Sequence, residues 1–163
     1  MNATWSIEKI LAEYGHAMSR VAASYEANPA LREEVLQDIA LAVWQSLPRL
    51  QEPGKAKAFV LRIAHNKSVD HVARQVRQVK SSAQADETAA KTNPETELSE
   101  DQGQTRLLMA VRRLPIRHRQ VVSLLLEGMS YKEIAEILDI SASNVGARVN
   151  RAKTQLKEIL KHE

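Results

Sequence analysis

Between Lys80 and Gln104 the chain reads KSSAQADETAAKTNPETELSEDQGQ, and Leu98 supplies its one aliphatic side chain larger than alanine's. Such a segment cannot bury enough surface to offset the entropy lost in ordering it. At this length a structureless stretch inside a single compact domain is uncommon. The chain therefore divides. The expected organisation is a domain over 1–79, a flexible acidic linker over 80–104 and a second domain over 105–163, which uses up the 163 residues present.

Both flanks of the linker carry apolar residues at helical spacing, and neither alternates with period two over a useful length. Ile10, Leu11, Tyr14, Met18, Val21 and Tyr25 define a first helix over about 7–26. Asn28-Pro29 then reads as an N-cap and first-turn proline. A second helix carries Leu31, Val35, Leu36, Ile39, Val43 and Trp44 as far as Pro48. Pro53-Gly54 marks a turn. A third helix, over about 56–79, carries Phe59, Val60, Ile63, Val69, Val72 and Val76. With only 4% aromatic residues and five glycines, the composition also favours helices over sheets. The fold class is all-α.

Past the linker, TRLLMAVRRL is one helix, stopped by Pro115, and IRHRQVVSLLLEG is the next, with Gly128 as its C-terminal cap. Ser130 and Glu133 have the spacing of a capping box. The helix they open buries Ile134, Ala135, Ile137 and Leu138. Ser141 caps a final helix that packs Val145, Val149, Ala152 and Leu156 inward. Ala135, Ile140 and Val145 have the spacing of a helix-turn-helix, in which a small residue lets two helices approach closely. That rotation leaves Ser143, Asn144, Ala147, Arg148 and Arg151 outward or on the flanks. Asn and Arg are the side chains that make bidentate contacts with adenine and guanine, and Ser can donate to phosphate.

Charge agrees with a polyanionic partner. Residues 1–79 carry ten Lys and Arg against eight Asp and Glu, residues 80–105 carry two against six, and residues 106–163 carry eleven against six. The basic excess lies on the helix-turn-helix side of the linker. Solvated helix faces account for charge of this kind equally well, so the motif carries more weight than the balance does.

Several function classes drop out. The chain has no cysteine, which removes disulfides, thiol redox chemistry and thiolate zinc sites and suits a reducing cytoplasm. The N-terminus lacks a basic start followed by a long apolar run, and the longest apolar stretch, Ile39 to Trp44, is far too short to cross a bilayer. We expect a cytoplasmic protein without membrane insertion. His65 and His71 are six residues apart and share no helix face, and neither H-E-x-x-H nor a phosphate-binding glycine loop is present. No active site, metal or cofactor is expected, and the protein is not read as an enzyme.

The stretch LPIRHRQVVSLLLEGMSYKEIAEILDISASNVGARVNRAKTQL resembles the promoter-binding C-terminal domain of sigma factors of the extracytoplasmic-function (ECF) type. VLQDIALAVWQSLPRL resembles their core-polymerase-binding region, and FVLRIAHNKSVDHVARQ the region that opens and reads the minus-ten element. The resemblance covers both halves in the family's order, with a linker between them. It implies polymerase contacts from Leu36, Gln37, Asp38, Ala42 and Trp44. Minus-ten contacts are implied for Lys55, Lys57, Phe59, Asn66, Asp70 and Arg74, the loop QEPGKAK matching one that holds an extruded base. Minus-thirty-five contacts are implied for Arg119, Ser143, Asn144, Arg148, Arg151 and Lys153, with Arg148 reading bases and Arg119 and Arg151 holding phosphates. Core RNA polymerase, promoter DNA and an anti-sigma protein are the implied partners, and a closed arrangement of the two domains is implied when polymerase is absent. Four positions depart from the family's usual pattern: Ala56 and Phe59 where larger aromatics are common, Asp139 where the turn usually has glycine, and Gly146 inside the last helix. The residues alone leave a second possibility open, a stand-alone helix-turn-helix regulator whose N-terminal bundle binds another protein.

Overall fold

The computed structural model of the chain describes residues 5–81 and 102–162. Most of the expected linker lies outside the described residues. Its edges do not: helix continues through Ser81 on one side and resumes at Gln102 on the other.

Three helices build the N-terminal domain. Helix α1, Ile7–Tyr25, starts at Ser6, whose hydroxyl accepts from the Lys9 amide at 3.1 Å. Helix α2, Pro29–Ser46, starts at Asn28, whose side-chain oxygen accepts from the amides of Ala30 and Leu31, with proline in the first turn where its missing N–H costs nothing. The turn after Pro48 is two short 3₁₀ turns, Leu47–Arg49 and Pro53–Lys55, and the second leads directly into α3, Ala56–Ser81. Ile10, Met18, Val21, Ile39, Val43, Val60 and Leu61 are fully enclosed between the three helices. Each such side chain contributes about 1.5–3 kcal/mol relative to exposure.

Four helices build the C-terminal domain: α4 Gln102–Arg112, α5 Ile116–Leu126, α6 Tyr131–Leu138 and α7 Ala142–Lys161. Gly128 has a φ of 85°, the left-handed turn that glycine takes without strain. The capping box at Ser130 and Glu133 is complete, with bonds of 2.8 and 3.1 Å in the two directions. Asp139 supplies the left-handed residue of the helix-turn-helix at φ 61°, and the Ile140 amide closes the turn onto the Ala135 carbonyl at 3.1 Å. Val111, Leu114, Leu124, Ile134, Val145 and Val149 form the core, while Ala135, Leu138 and Leu156 are only partly buried.

Three residues assigned to apolar stripes lie outside the core. Leu11, Trp44 and Val76 are exposed, because helical spacing places them at the edge of their stripe and no second layer of helices covers that edge. The two domains pack against each other, α1 against α4 and α5, and α3 against α5 and α6.

Candidate nucleic-acid and polymerase interfaces

On α7 the inward residues Val145, Val149 and Ala152 fix the rotation, and Ser143, Asn144, Arg151 and Lys153 stand exposed with Arg148 half-buried on the flank. Ser141 caps the helix by accepting from the Asn144 backbone amide at 3.0 Å, and Asn144 itself is exposed in the first turn. Gly146 lies beneath the Tyr131 ring. A Cβ there would meet the ring at 3.6 Å, an ordinary contact, so the fold itself does not demand glycine.

On α3, Asn66, Asp70 and Arg74 are spaced by four and all exposed, which gives one continuous polar face. Arg74 pairs with Asp38 of α2 at 3.7 Å rather than with Asp70. The loop before this face is anchored by Trp5, whose indole donates to the Pro53 carbonyl at 3.1 Å and whose ring meets Tyr14. Lys55 reaches Glu52 within the loop at 3.7 Å, and Phe59 is partly buried against the core.

On α2, Ile39 and Val43 are fully buried while Gln37 and Asp38 are exposed and Leu36 and Ala42 half-buried. Trp44 is 57% exposed, with Leu41 also exposed one turn away. A tryptophan left in water beside a leucine is costly in isolation and is the kind of anchor that interfaces use.

Residues 10–78 match the family model of Sigma-70 region 2, and residues 104–156 match that of Sigma-70, region 4. The chain belongs to the sigma-70 family. Among its relatives is RNA polymerase sigma factor NccH of Alcaligenes xylosoxydans xylosoxydans, 28% identical over 96% of this chain and 87% of that one. ECF RNA polymerase sigma factor SigE of Mycolicibacterium smegmatis is 28% identical over 95% of this chain and 62% of its own. The solved sigma factor RpoE of Bartonella quintana, in complex with the anti-sigma factor NepR, shares the fold with a TM-score of 0.77 at 22% identity, covering 94% of this chain and 96% of that one.

Region 4 also meets region 2 along a polar seam that the sequence did not announce. Arg20 of α1 donates from Nε and Nη2 to the two carboxylate oxygens of Glu127, at 2.9 and 2.8 Å. The Glu127 side chain is only 7% exposed, and this hydrogen bond, outweighing the burial that opposes it, holds the Arg20 guanidinium above its ordinary pKa. Arg62 of α3 donates to the Glu136 carbonyl at 2.7 Å, near the end of α6. Arg112 of α4 donates to the Ala23 carbonyl at 2.7 Å. Arg119 was expected among the phosphate contacts, yet in this arrangement it faces region 2: its guanidinium donates to the Leu114 carbonyl at 2.9 Å and sits 5.7 Å over the Tyr25 ring. Tyr25 is itself buried, with its hydroxyl 3.1 Å from His65 Nδ1. Burial pushes the Tyr25 phenol up and lowers His65 to about 4, so both are neutral near pH 7.

The seam reaches the loop that precedes the polar face of α3. Lys55 and Phe59 share a groove with Arg62, Glu136 and Ile137, and Lys57 lies beside Arg20, Glu127 and Gly128. Periodicity finds buried apolar faces, whereas these contacts join hydrophilic side chains over long sequence separations. A hydrophilic residue used this way looks like any surface residue in the sequence. Among the described residues no group of three His, Cys, Asp or Glu is placed to hold a metal ion, and no helix is long and apolar enough to cross a membrane.

Proposed function

We propose that the chain is an alternative RNA polymerase sigma factor of the ECF type, a non-enzymatic initiation factor of the cytoplasm. Region 2 binds core polymerase and the minus-ten element, and region 4 binds the minus-thirty-five element. The observation that carries this reading is the pair of region matches, in order, on two helical domains that each present an exposed polar face. Trp44, Gln37 and Asp38, with Leu36 and Ala42 behind them, form the polymerase contact on this reading. Asn66, Asp70, Arg74 and the loop with Lys55 and Lys57 read the melted strand, with Phe59 beneath. Ser143, Asn144, Arg148, Arg151 and Lys153 take the minus-thirty-five element, and Arg119 reaches phosphate only if the seam opens.

The solved sigma factor in complex with the anti-sigma factor NepR supports a protein antagonist for this chain too. The seam supports a closed free state, because it brings region 4 against the loop that would receive the minus-ten strand. The deciding experiment is promoter-directed transcription by core polymerase supplemented with this chain, alongside a pull-down of core by residues 1–81. Specific initiation and core capture are expected. DNA binding without core capture would instead make the chain a stand-alone helix-turn-helix regulator.

A further inference from the structure

Residues 51–55, between the two 3₁₀ turns and α3, are all exposed, so side-chain packing does not hold this loop in place. Pro53 fixes one backbone angle. The Lys55 amide donates to the Glu52 carbonyl at 2.9 Å and the Ala56 amide to that of Pro53, which closes the turn. Those bonds shape the turn without deciding where it lies against region 2. The Lys55–Glu52 ion pair is exposed on both sides and adds little.

Two attachments to the rest of the domain do decide it. At one end Ala56, 1% exposed, seats the first residue of α3 in the core. At the other, the Trp5 indole reaches across 48 residues of chain to the Pro53 carbonyl, which thus accepts from two donors. Trp5 is itself held. It directly precedes the Ser6 cap of α1, its ring lies 5.7 Å from that of Tyr14, and it packs against the region 2 core. Helix α1 does not need the bond to Pro53, because its own cap and its buried stripe from Ile10 to Tyr25 secure it. The loop does.

We propose that Trp5 is a positioning residue for capture of the minus-ten strand: its N–H holds the Pro53–Lys55 turn in the shape that receives an extruded base. This rests on the reading of that loop as the strand-receiving one. Lys55 and Phe59 line a groove of about 340 Å³ with Arg49, Leu50 and Arg62, and the turn is one of its walls. Taking a base out of its stack costs energy, and a pocket offsets that cost best when its walls are in place beforehand. A loop that has to be ordered as the base arrives gives up part of its binding energy to do so. The indole supplies that order in advance. Helix α7 lies in the other domain, so duplex recognition is indifferent to the bond.

The test uses the full chain assembled with core polymerase, and a pool of single-stranded oligonucleotides with a short randomised tract as the probe. Trp5→Phe keeps a ring against Tyr14 and removes the donor, whereas Trp5→Ala removes both. Trp5→Phe should weaken binding of the strands that the wild-type chain selects by about threefold to tenfold. It should also flatten preference at one base position, with core capture and duplex minus-thirty-five binding unchanged. Hydrogen exchange separates positioning from a general structural role: the Lys55 and Ala56 amides should exchange faster in Trp5→Phe, while those of Val21, Ile39 and Val43 keep wild-type protection. Wild-type strand selection in Trp5→Phe would overturn the proposal, and if Trp5→Ala alone were impaired the ring would be the working part, as a stacking surface. Protection lost throughout α1 and α2 would overturn it too. Lys55→Ala with Lys57→Ala distinguishes the two readings. Loss of strand selection in that pair but not in Trp5→Phe would remove the role of Trp5 and leave the loop assignment standing. Loss in neither would remove the loop assignment and the role of Trp5 with it.

Discussion

The exposed polar faces of α3 and α7 are built alike, each on a helix whose apolar side is buried, yet the domain seam treats them differently. The outward side of α7 in region 4 stays clear of region 2, with Asn144 and Arg151 exposed. The loop that feeds the polar face of α3 lies along the seam, where Lys57 sits beside Glu127 and Phe59 beside Ile137. Duplex recognition needs only a rigid protruding helix. Single-strand capture needs a concave pocket, and a pocket can be covered by a neighbouring domain.

The largest expected effect tests whether the two halves are energetically separate. Ile134 is fully buried in region 4, so Ile134→Ala should cost about 2–5 kcal/mol and abolish minus-thirty-five binding while core capture through region 2 persists. Loss of both activities, read by denaturation and pull-down, would mean that the seam makes one folding unit of the chain.

Within the exposed face of region 4, Arg148→Ala should cost about 1–3 kcal/mol and relax preference at one base position. Arg151→Ala should weaken all sequences alike and lower the salt slope by about one. Binding over a randomised duplex library at several salt concentrations separates the two. Unchanged preference in both variants would mean that α7 presents another side to DNA.

Acid should distinguish the halves as well, because the buried histidines, His65 and His71, both lie in region 2. Burial holds His65 at about 4 against an ordinary 6.5. The unfolded chain therefore takes up a proton below about pH 6.5 that the folded chain refuses until about pH 4, so this contribution is complete above pH 6.5 and is lost as pH falls towards 4. Urea melts should show a loss on the order of 1–2 kcal/mol between pH 7 and 5. His65→Gln should flatten that slope.

A smaller effect is expected from the seam itself. Arg20→Glu places a carboxylate opposite Glu127 and should raise binding of free protein to a minus-ten single strand severalfold, with a larger radius of gyration in solution scattering. Adding Glu127→Arg should restore closure. A swap that leaves scattering and strand binding as in Arg20→Glu would show that other contacts govern the seam. Smallest is Gly146→Ala, expected to stabilise region 4 by up to about 1 kcal/mol, since the Tyr131 ring leaves room. If DNA binding falls while stability rises, glycine is there for close approach to DNA.

Much of this architecture was legible in the residues. The capping box at Ser130, the N-caps at Asn28 and Ser141 and the left-handed Asp139 are local chemistry, decided within a few residues of chain. The rotation of α7 followed from Val145, Val149 and Ala152, since one buried stripe on a straight helix determines where every other side chain points. Trp44 and Val76 were harder. Each continues a stripe at correct spacing, and its exposure depends on whether another helix lies alongside, which local sequence does not record.

The sequence by itself determined the helices, most of their ends and the outward face of α7, because hydrophobic period and capping act over one or two turns. Only the tertiary structure decided that Arg119 turns to Tyr25 and that Arg20 clasps Glu127 across 107 residues of chain. Those contacts depend on how two separately folded surfaces meet. Polar side chains that serve such a meeting carry no period to betray them.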